Sequence, residues 1–362
     1  MFHAAAEDGA GSGSREEALV FTAVLAGCGS MSRGWLSALS EHPLLQGRVR
    51  IVGLADLDAT MAAERATEFG LEHAVTGSDL RAMLSELKPD ILFDVVTPAG
   101  RTDVVVSGLR HGCHVLSEKP MANSIDAARS ILAEADAAGR LHAVIQNRRF
   151  IPGVRRIRRL IESGALGELT SLNCDFFIGA HFGGFREEMD NVLLLDMAIH
   201  TLDAARFMSG KAPRAVYCLE TNPRGSWYRH GAAANAIFEL ADDVVFNFRG
   251  SWCAEGANTS WEGSWRITGT RGTLLWDGEE ALDARVAADG SDLLRDAVPV
   301  TVPAPARDEE THGHASVIAD FLTAIETGRA PETEGRDNIN SLAMVFAAIE
   351  SARTGQRVTI QT

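Results

Sequence analysis

The sequence predicts an α/β protein in two parts: an N-terminal, doubly wound parallel sheet, then a C-terminal α/β domain on a large, open, mostly antiparallel sheet. Three observations carry this expectation. From Leu19 to Ile145, apolar β-prone runs alternate with helical stretches, the pattern of right-handed βαβ crossovers. After Gln146 the helices thin out and strand-like runs follow one another through tight turns such as Asp242-Asp243 and Gly269-Thr270-Arg271-Gly272. The 362 residues are enough for two domains that each bury a core. The expected division is a disordered, Ala/Gly/Ser/Glu-rich tail at 1–17, a dinucleotide-binding domain at 18–146 and a substrate-binding and oligomerisation domain at 147–362.

The elements follow in order. Leu19 to Ala26 is continuously apolar, as a strand buried on both faces must be. Trp35 to Leu39 has helical spacing, Val49 to Ala55 is a second strand, and Thr60 to Glu68 and Asp79 to Leu87 are helices. Ile91 to Val96 is a strand stopped at Thr97-Pro98. Thr102 to His111 is a helix ended by Gly112, His114 to Leu116 a strand, Ser124 to Ala138 a helix closed by Gly139, and Leu141 to Ile145 the last strand of the series. Beyond it lie a helix at Val154 to Ser163 and strands at Leu169 to Phe177, Ala215 to Leu219, Ala233 to Leu240, Val244 to Trp252, Ser264 to Thr268 and Gly272 to Trp276. Asp277 to Glu310 reads as an irregular surface loop, and helices close the chain at His314 to Thr327 and Arg336 to Thr354.

Composition excludes several classes. A formal net charge of −15 argues against a general nucleic-acid or anionic-membrane binder, both of which need a positive surface. The basic cluster Arg155, Arg156, Arg158 and Arg159 is the solvated face of a helix whose apolar side is Val154, Ile157, Leu160 and Ile161. Five scattered cysteines with no CxxC pair suit a reducing cytoplasm and leave no zinc site. No apolar run reaches signal-peptide or membrane-span length, so the expected location is cytoplasmic.

Gly27-Cys28-Gly29-Ser30-Met31-Ser32 resembles the Rossmann fingerprint G-x-G-x-x-G, with Ser32 at the third glycine. The first glycine permits the tight turn, the second lets the backbone approach a pyrophosphate, and the third position needs a small residue for helix packing. A strand precedes the turn, a helix follows, and Asp56 ends the second strand. Its carboxylate suits ribose hydroxyls and repels a 2′-phosphate, so the expected cofactor is NAD rather than NADP. Glu118-Lys119-Pro120 follows a short strand downstream, and Asp196 and His200 stand four apart on a predicted helix face. Oxidising an alcohol requires a proton acceptor while hydride leaves the same carbon. His200 can take the proton, Asp196 can orient it, and Lys119 can stabilise developing alkoxide. Asp203 is either a partner of His200 or a local structural group.

These residues together resemble the Gfo/Idh/MocA family of oxidoreductases, from Ala18 to the C-terminus. The resemblance rests on the glycine turn, Thr97-Pro98, Glu118-Lys119-Pro120 and Asp196-x-x-x-His200-x-x-Asp203. It implies a Rossmann domain with NAD, a sugar or cyclitol substrate, and an open sheet that assembles a homodimer or homotetramer. It also implies catalytic roles for Lys119, Asp196 and His200, with Glu118, Thr97 and Pro98 on the nicotinamide side. Two departures stand out. Ala99-Gly100-Arg101-Thr102 lacks the histidine that often follows the family's Thr-Pro, and Asn191-Val192-Leu193-Leu194-Leu195 replaces a glycine-rich lead-in.

The crossover Gln146-Asn147-Arg148-Arg149 borders the expected cleft. Asn147 is a candidate cofactor contact and Arg148 a candidate substrate contact, while Arg149 is a contact or an interdomain ion pair. The loop Gly179 to Arg186, which bears His181, either closes over substrate or meets another subunit. Trp227, Trp252, Trp261 and Trp265 stack on sugar or fill the core. Three functions fit: an NAD-dependent dehydrogenase of a secondary hydroxyl, a redox-neutral enzyme that oxidises a sugar transiently and cleaves a glycoside, or a non-enzymatic NAD-sensing regulator.

Overall fold

The apolar runs of the N-terminal half become parallel strands because helices cover both of their faces. The computed structural model describes residues 20–290, 293–306 and 313–362; the tail expected at 1–17 lies outside them. The first sheet contains β1 (Phe21–Ala26), β2 (Val49–Ala55), β3 (Val75–Gly77), β4 (Ile91–Asp94), β5 (His114–Ser117) and β6 (His142–Val144), in the order β3-β2-β1-β4-β5-β6 and parallel throughout. This order reverses at β1/β4, and ligands in such sheets bind where it reverses. Alternate residues serve opposite faces. Ala23, Leu25 and Phe93 pack with α1 (Ser30–Glu41) and α2 (Ala59–Glu68), whereas Val24, Leu92 and Val115 pack with α3 (Leu80–Leu87), α4 (Pro98–Arg110) and α5 (Ile125–Ala138).

Local signals set the helix ends. Asp58, Asp79 and Ser124 accept hydrogen bonds from first-turn amides of α2, α3 and α5, the usual role of an N-cap. α5 stops at Gly139, which takes φ 61°. α4 begins at Pro98, earlier than the sequence suggested, because proline fits the first helical position. The three-residue strand β3 is too short and exposed to leave a hydropathy signal.

A 3₁₀ turn at Asn147–Phe150 and α6 (Pro152–Glu162) lead into the second sheet. Its strands are β7 (Leu169–Phe177), β8 (Pro213–Thr221), β9 (Ala233–Leu240), β10 (Val245–Ser251), β11 (Ser264–Gly269), β12 (Gly272–Trp276), β13 (Leu282–Ala287), β14 (Ala297–Val300) and β15 (Val358–Thr359). They lie in the order β14-β13-β12-β11-β7-β10-β9-β8-β15, antiparallel except for the central β7/β10 pair. The expectation of a loop over Asp277 to Glu310 is corrected here: β13 and β14 extend one sheet edge within it. Leu282, Ala284 and Val286 alternate with Asp283 and Arg285, a period-two signal masked by the polar residues around it.

One face of this sheet packs on helices. The other is open, and register places Tyr217, Ile237, Asn247, Asn173, Arg266, Leu275 and Asp283 in one cross-strand row on it. Two short elements on the covered side, α7 (Phe185–Glu188) and a π-helical turn at Leu193–Ala198, precede α8 (Ile199–Ser209). The chain ends with α9 (His314–Thr327) and α10 (Gly335–Thr354). α10 packs on β8 and α8. α9 returns to the first sheet, where Ile318, Phe321 and Leu322 join Trp35, Leu36 and Phe93 in one core.

A buried ion network locks these pieces together. Asp203 of α8 has no solvent exposure. Arg149 donates Nε to its Oδ2 at 2.7 Å and Nη2 to its Oδ1 at 2.6 Å, and Ser341 of α10 donates its hydroxyl to Oδ1 at 2.6 Å. Asp203 is therefore a structural anchor, and of the two roles open for Arg149 the ion pair is the one observed. Asp203→Ala leaves Arg149 with only Asp337 and the Glu332 carbonyl as partners and should cost about 2–3 kcal/mol, read as a lower urea midpoint at unchanged slope.

Candidate active site

The glycine turn is built for close approach. Gly27 takes φ +94°, and a Cβ there would lie 2.6 Å from the Val95 carbonyl carbon, so β1 and β4 meet with no room for a side chain. Nothing lies within 4 Å of where a Cβ of Gly29 would be, and α1 starts at this residue with no side-chain cap. Uncapped first-turn amides beneath open space form a cradle for a pyrophosphate. Ser32 fills the third fingerprint position with no exposure, and its hydroxyl donates to Gly29 O at 2.6 Å. Asp56 Oδ2 accepts from Cys28 N at 2.7 Å, which holds the carboxylate at the turn. Arg65 of α2, buried, donates Nη2 to Cys28 O at 2.9 Å and braces the turn from behind. Burial pushes the Cys28 thiol up to about 12, with Asp56 adding to the rise, so it is no nucleophile near neutral pH.

From this turn a cleft of about 400 Å³ runs toward the second sheet, lined by Gly29, Ser30, Met31, Thr97, Pro98 and Lys119 among others. Lys119 spans the two halves. Its Nζ donates to Asp196 Oδ1 at 2.8 Å and to the Asp196 carbonyl at 2.7 Å. Arg186 donates Nε to the other carboxylate oxygen at 2.6 Å. Burial alone would raise the Asp196 carboxyl, but Lys119 and Arg186 outweigh it and hold it below its usual value. Glu118 turns away from its neighbour. Oε1 accepts from Trp35 Nε1 at 2.8 Å, and His314 Nε2 stands 3.5 Å off. Burial opposes ionisation of Glu118, yet these donors and the Lys119 charge keep it lowered. Below Thr97-Pro98, Arg101 pairs with buried Asp94 at 2.9 Å and donates to Pro120 O, tying the ends of β4 and β5 into one cleft wall.

Residues 21–146 match the oxidoreductase family with NAD-binding Rossmann fold, and residues 154–275 match the GFO/IDH/MocA C-terminal domain. The chain belongs to the GFO/IDH/MocA family. It is 26% identical to a D-apiose dehydrogenase of Paraburkholderia graminis over 352 residues, covering 94% of this chain and 90% of the relative. It is 24% identical to a levoglucosan dehydrogenase of Pseudarthrobacter phenanthrenivorans over 349 residues, 83% and 86% of the two chains. An NAD-binding oxidoreductase from Klebsiella pneumoniae has the same fold, with a TM-score of 0.80 at 18% identity over 95% of this chain and all (100%) of its own. The cofactor is NAD, and the enzyme is an oxidoreductase.

In this GFO/IDH/MocA chain, Asp196 and His200 share no hydrogen bond among the described residues; the side-by-side pair expected from their spacing is not formed. Both Asp196 oxygens go to cations, and charge-assisted bonds outcompete a neutral imidazole. Burial holds His200 well below its usual pKa, helped by the charges of Lys119, Arg148 and His314, and Nδ1 is buried without a partner. Asn147 Oδ1 is also buried and unpaired. Arg148 is held by the Trp261 carbonyl and Glu262. His181 stacks on Trp227 at 3.6 Å and bonds Glu255 at 2.7 Å. Arg148, His181, Asn147, Asp56 and His200 are not among the residues that line the cleft. Trp252 and Trp265 are core, while Trp261 is exposed.

Sequence reasoning missed Arg186, Arg101 and Arg65. Only Arg186 left a usable signal, as the cation of a glycine-rich loop already singled out. No three His, Cys, Asp or Glu side chains among the described residues are grouped to hold a metal. Asp56→Ala should weaken NADH binding about tenfold while leaving NADPH binding equal or tighter, measured by nucleotide fluorescence titration.

Proposed function

We propose that this protein is a dehydrogenase that oxidises a secondary hydroxyl of a sugar, cyclitol or glycoside. The observation that carries this reading is the Lys119–Asp196 pair, which joins the two halves at the cleft beside the glycine turn. The names of its relatives, D-apiose and levoglucosan dehydrogenases, support a sugar-like substrate.

The uncapped amides at Gly29 to Met31 would hold the pyrophosphate, Asp56 the adenosine ribose, and Thr97, Pro98 and Glu118 the nicotinamide side. NAD, when bound, supplies the hydride acceptor. Lys119 touches the reacting hydroxyl and stabilises the negative charge that develops on its oxygen. Asp196 fixes the direction of the ammonium through two contacts. His200 takes the proton, since a buried imidazole beside a lysine is neutral and free to accept.

Replacing Lys119 with Ala should lower kcat about 10²–10⁴-fold in an NADH-absorbance assay on a polyol panel, with NADH affinity unchanged. Full activity of that variant refutes the role. The pH profile tests His200. An imidazole whose folded pKa is depressed stays in its basic form as pH falls past its ordinary value of about 6.5, so the acid limb of kcat/KM should lie below that value. A limb at or above 6.5 counts against His200 as acceptor.

The open face of the second sheet completes the proposal. Tyr217, Leu219, Ile237 and Leu275 are exposed on it, around a concavity of about 970 Å³. A face that mixes these apolar side chains with Asn173, Asn247, Arg266 and Asp283 is suited to another copy of the chain, giving a homodimer or homotetramer. Ile237→Asp should shift the mass seen by light scattering to the monomer.

A further inference from the structure

The substrate end of the cleft carries two cations. Beyond the residues assigned to NAD and the wall around Arg101, its lining includes Lys119, Asn123, Phe185, Arg186, Asp196 and Phe346. Asp196 is the one carboxylate among them, set against the two cations Lys119 and Arg186. A ligand made only of hydroxyl groups needs acceptors as well as donors. This lining offers two cationic donors to one carboxylate acceptor.

Arg186 is the donor with capacity to spare. Arg149 on Asp203 and Arg249 on Asp175 each use Nε and Nη2, and buried Arg101, which meets Asp94 through Nε alone, spends both Nη amines on the Pro120 and Val96 carbonyls. Arg186 meets Asp196 through Nε alone. Its Nη1 and Nη2 make no hydrogen bond among the described residues. Lys119 already makes two contacts to Asp196. The guanidinium is also fixed by aromatic rings, with its carbon 5.1 Å from the Phe182 centroid and 4.8 Å from that of Phe185. A planar cation, pre-oriented and with terminal amines unused, fits a carboxylate better than a hydroxyl.

We propose that Arg186 is the specificity-determining residue of this site and that the substrate is a polyhydroxy acid, a sugar or cyclitol bearing a carboxylate held on the Nη amines of Arg186. This rests on the dehydrogenase reading for the chemistry but not for the binding. The acid group anchors one end of the ligand and leaves its hydroxyl at Lys119.

The test is calorimetric binding, with NADH present, of matched pairs: D-glucose with D-glucuronate and D-galactose with D-galacturonate. Wild type should bind an acid about 10- to 100-fold more tightly than its neutral partner. Arg186→Gln should abolish that preference with NADH affinity unchanged, and Arg186→Lys should keep part of it. Equal or tighter binding of the neutral sugars overturns the proposal. So does binding of no acid, or an equal loss for both members of a pair in Arg186→Gln, which would leave Arg186 only a support for Asp196. NADH formation on neutral sugars alone sinks the acid preference and leaves the dehydrogenase standing. An Arg186-dependent preference for the acids without NADH formation does the reverse.

Discussion

The arrangement of the site depends on one buried carboxylate that never reaches it. Asp203 sits at the junction of three elements, taking two hydrogen bonds from Arg149 of the crossover and one from Ser341 of the last helix. Arg149 in turn donates to Glu332 O at 2.8 Å, and Arg206 reaches Asp337 at 2.8 Å. A buried ion pair contributes little net stability against its desolvation cost, but it strongly disfavours arrangements that leave a charge unpaired. Here the favoured arrangement places α8, and the turn before it, at the height where Asp196 meets Lys119. The geometry of the cleft is inherited from this junction.

The cleft works by sharing. Asp196 belongs to the second half of the chain and Lys119 to the first, so neither half carries the pair alone. Arg101 supports the other wall in the same way, linking Asp94 at the end of one strand to the Pro120 carbonyl after the next. Lys119, Asp196 and Arg186 are each oriented by a charged partner in the cleft itself. Such preorganisation is where most electrostatic rate acceleration originates.

Much of this was legible in the sequence because it rests on short-range rules. The strands β2, β7, β9 and β12 fall where apolar or alternating runs placed them, and Gly27, Asp56, Thr97 and Lys119 follow from strand ends and turn chemistry. What was not legible depends on distant partners. Four-residue spacing put Asp196 against His200, but an arginine ten positions earlier and a lysine from the other sheet claimed its oxygens first. Arg65 looks like any polar residue of an Ala-rich helix until the turn folds over it. β13 and the edge strand β14 escaped because most of their residues face water.

The position of α9 has a consequence for how the protein is made. Its side chains Val317, Ile318, Phe321 and Leu322 complete the core around Trp35 and Phe93, although all but the last strand of the second sheet lies between them in the chain. During synthesis at about 5–20 residues per second, the first sheet waits roughly ten seconds or more after its last strand before this helix leaves the ribosome. Throughout that interval one flank of the nascent nucleotide-binding sheet is bare hydrocarbon. The fold is thus closed from its far end, and the half that is translated first is among the last to be finished.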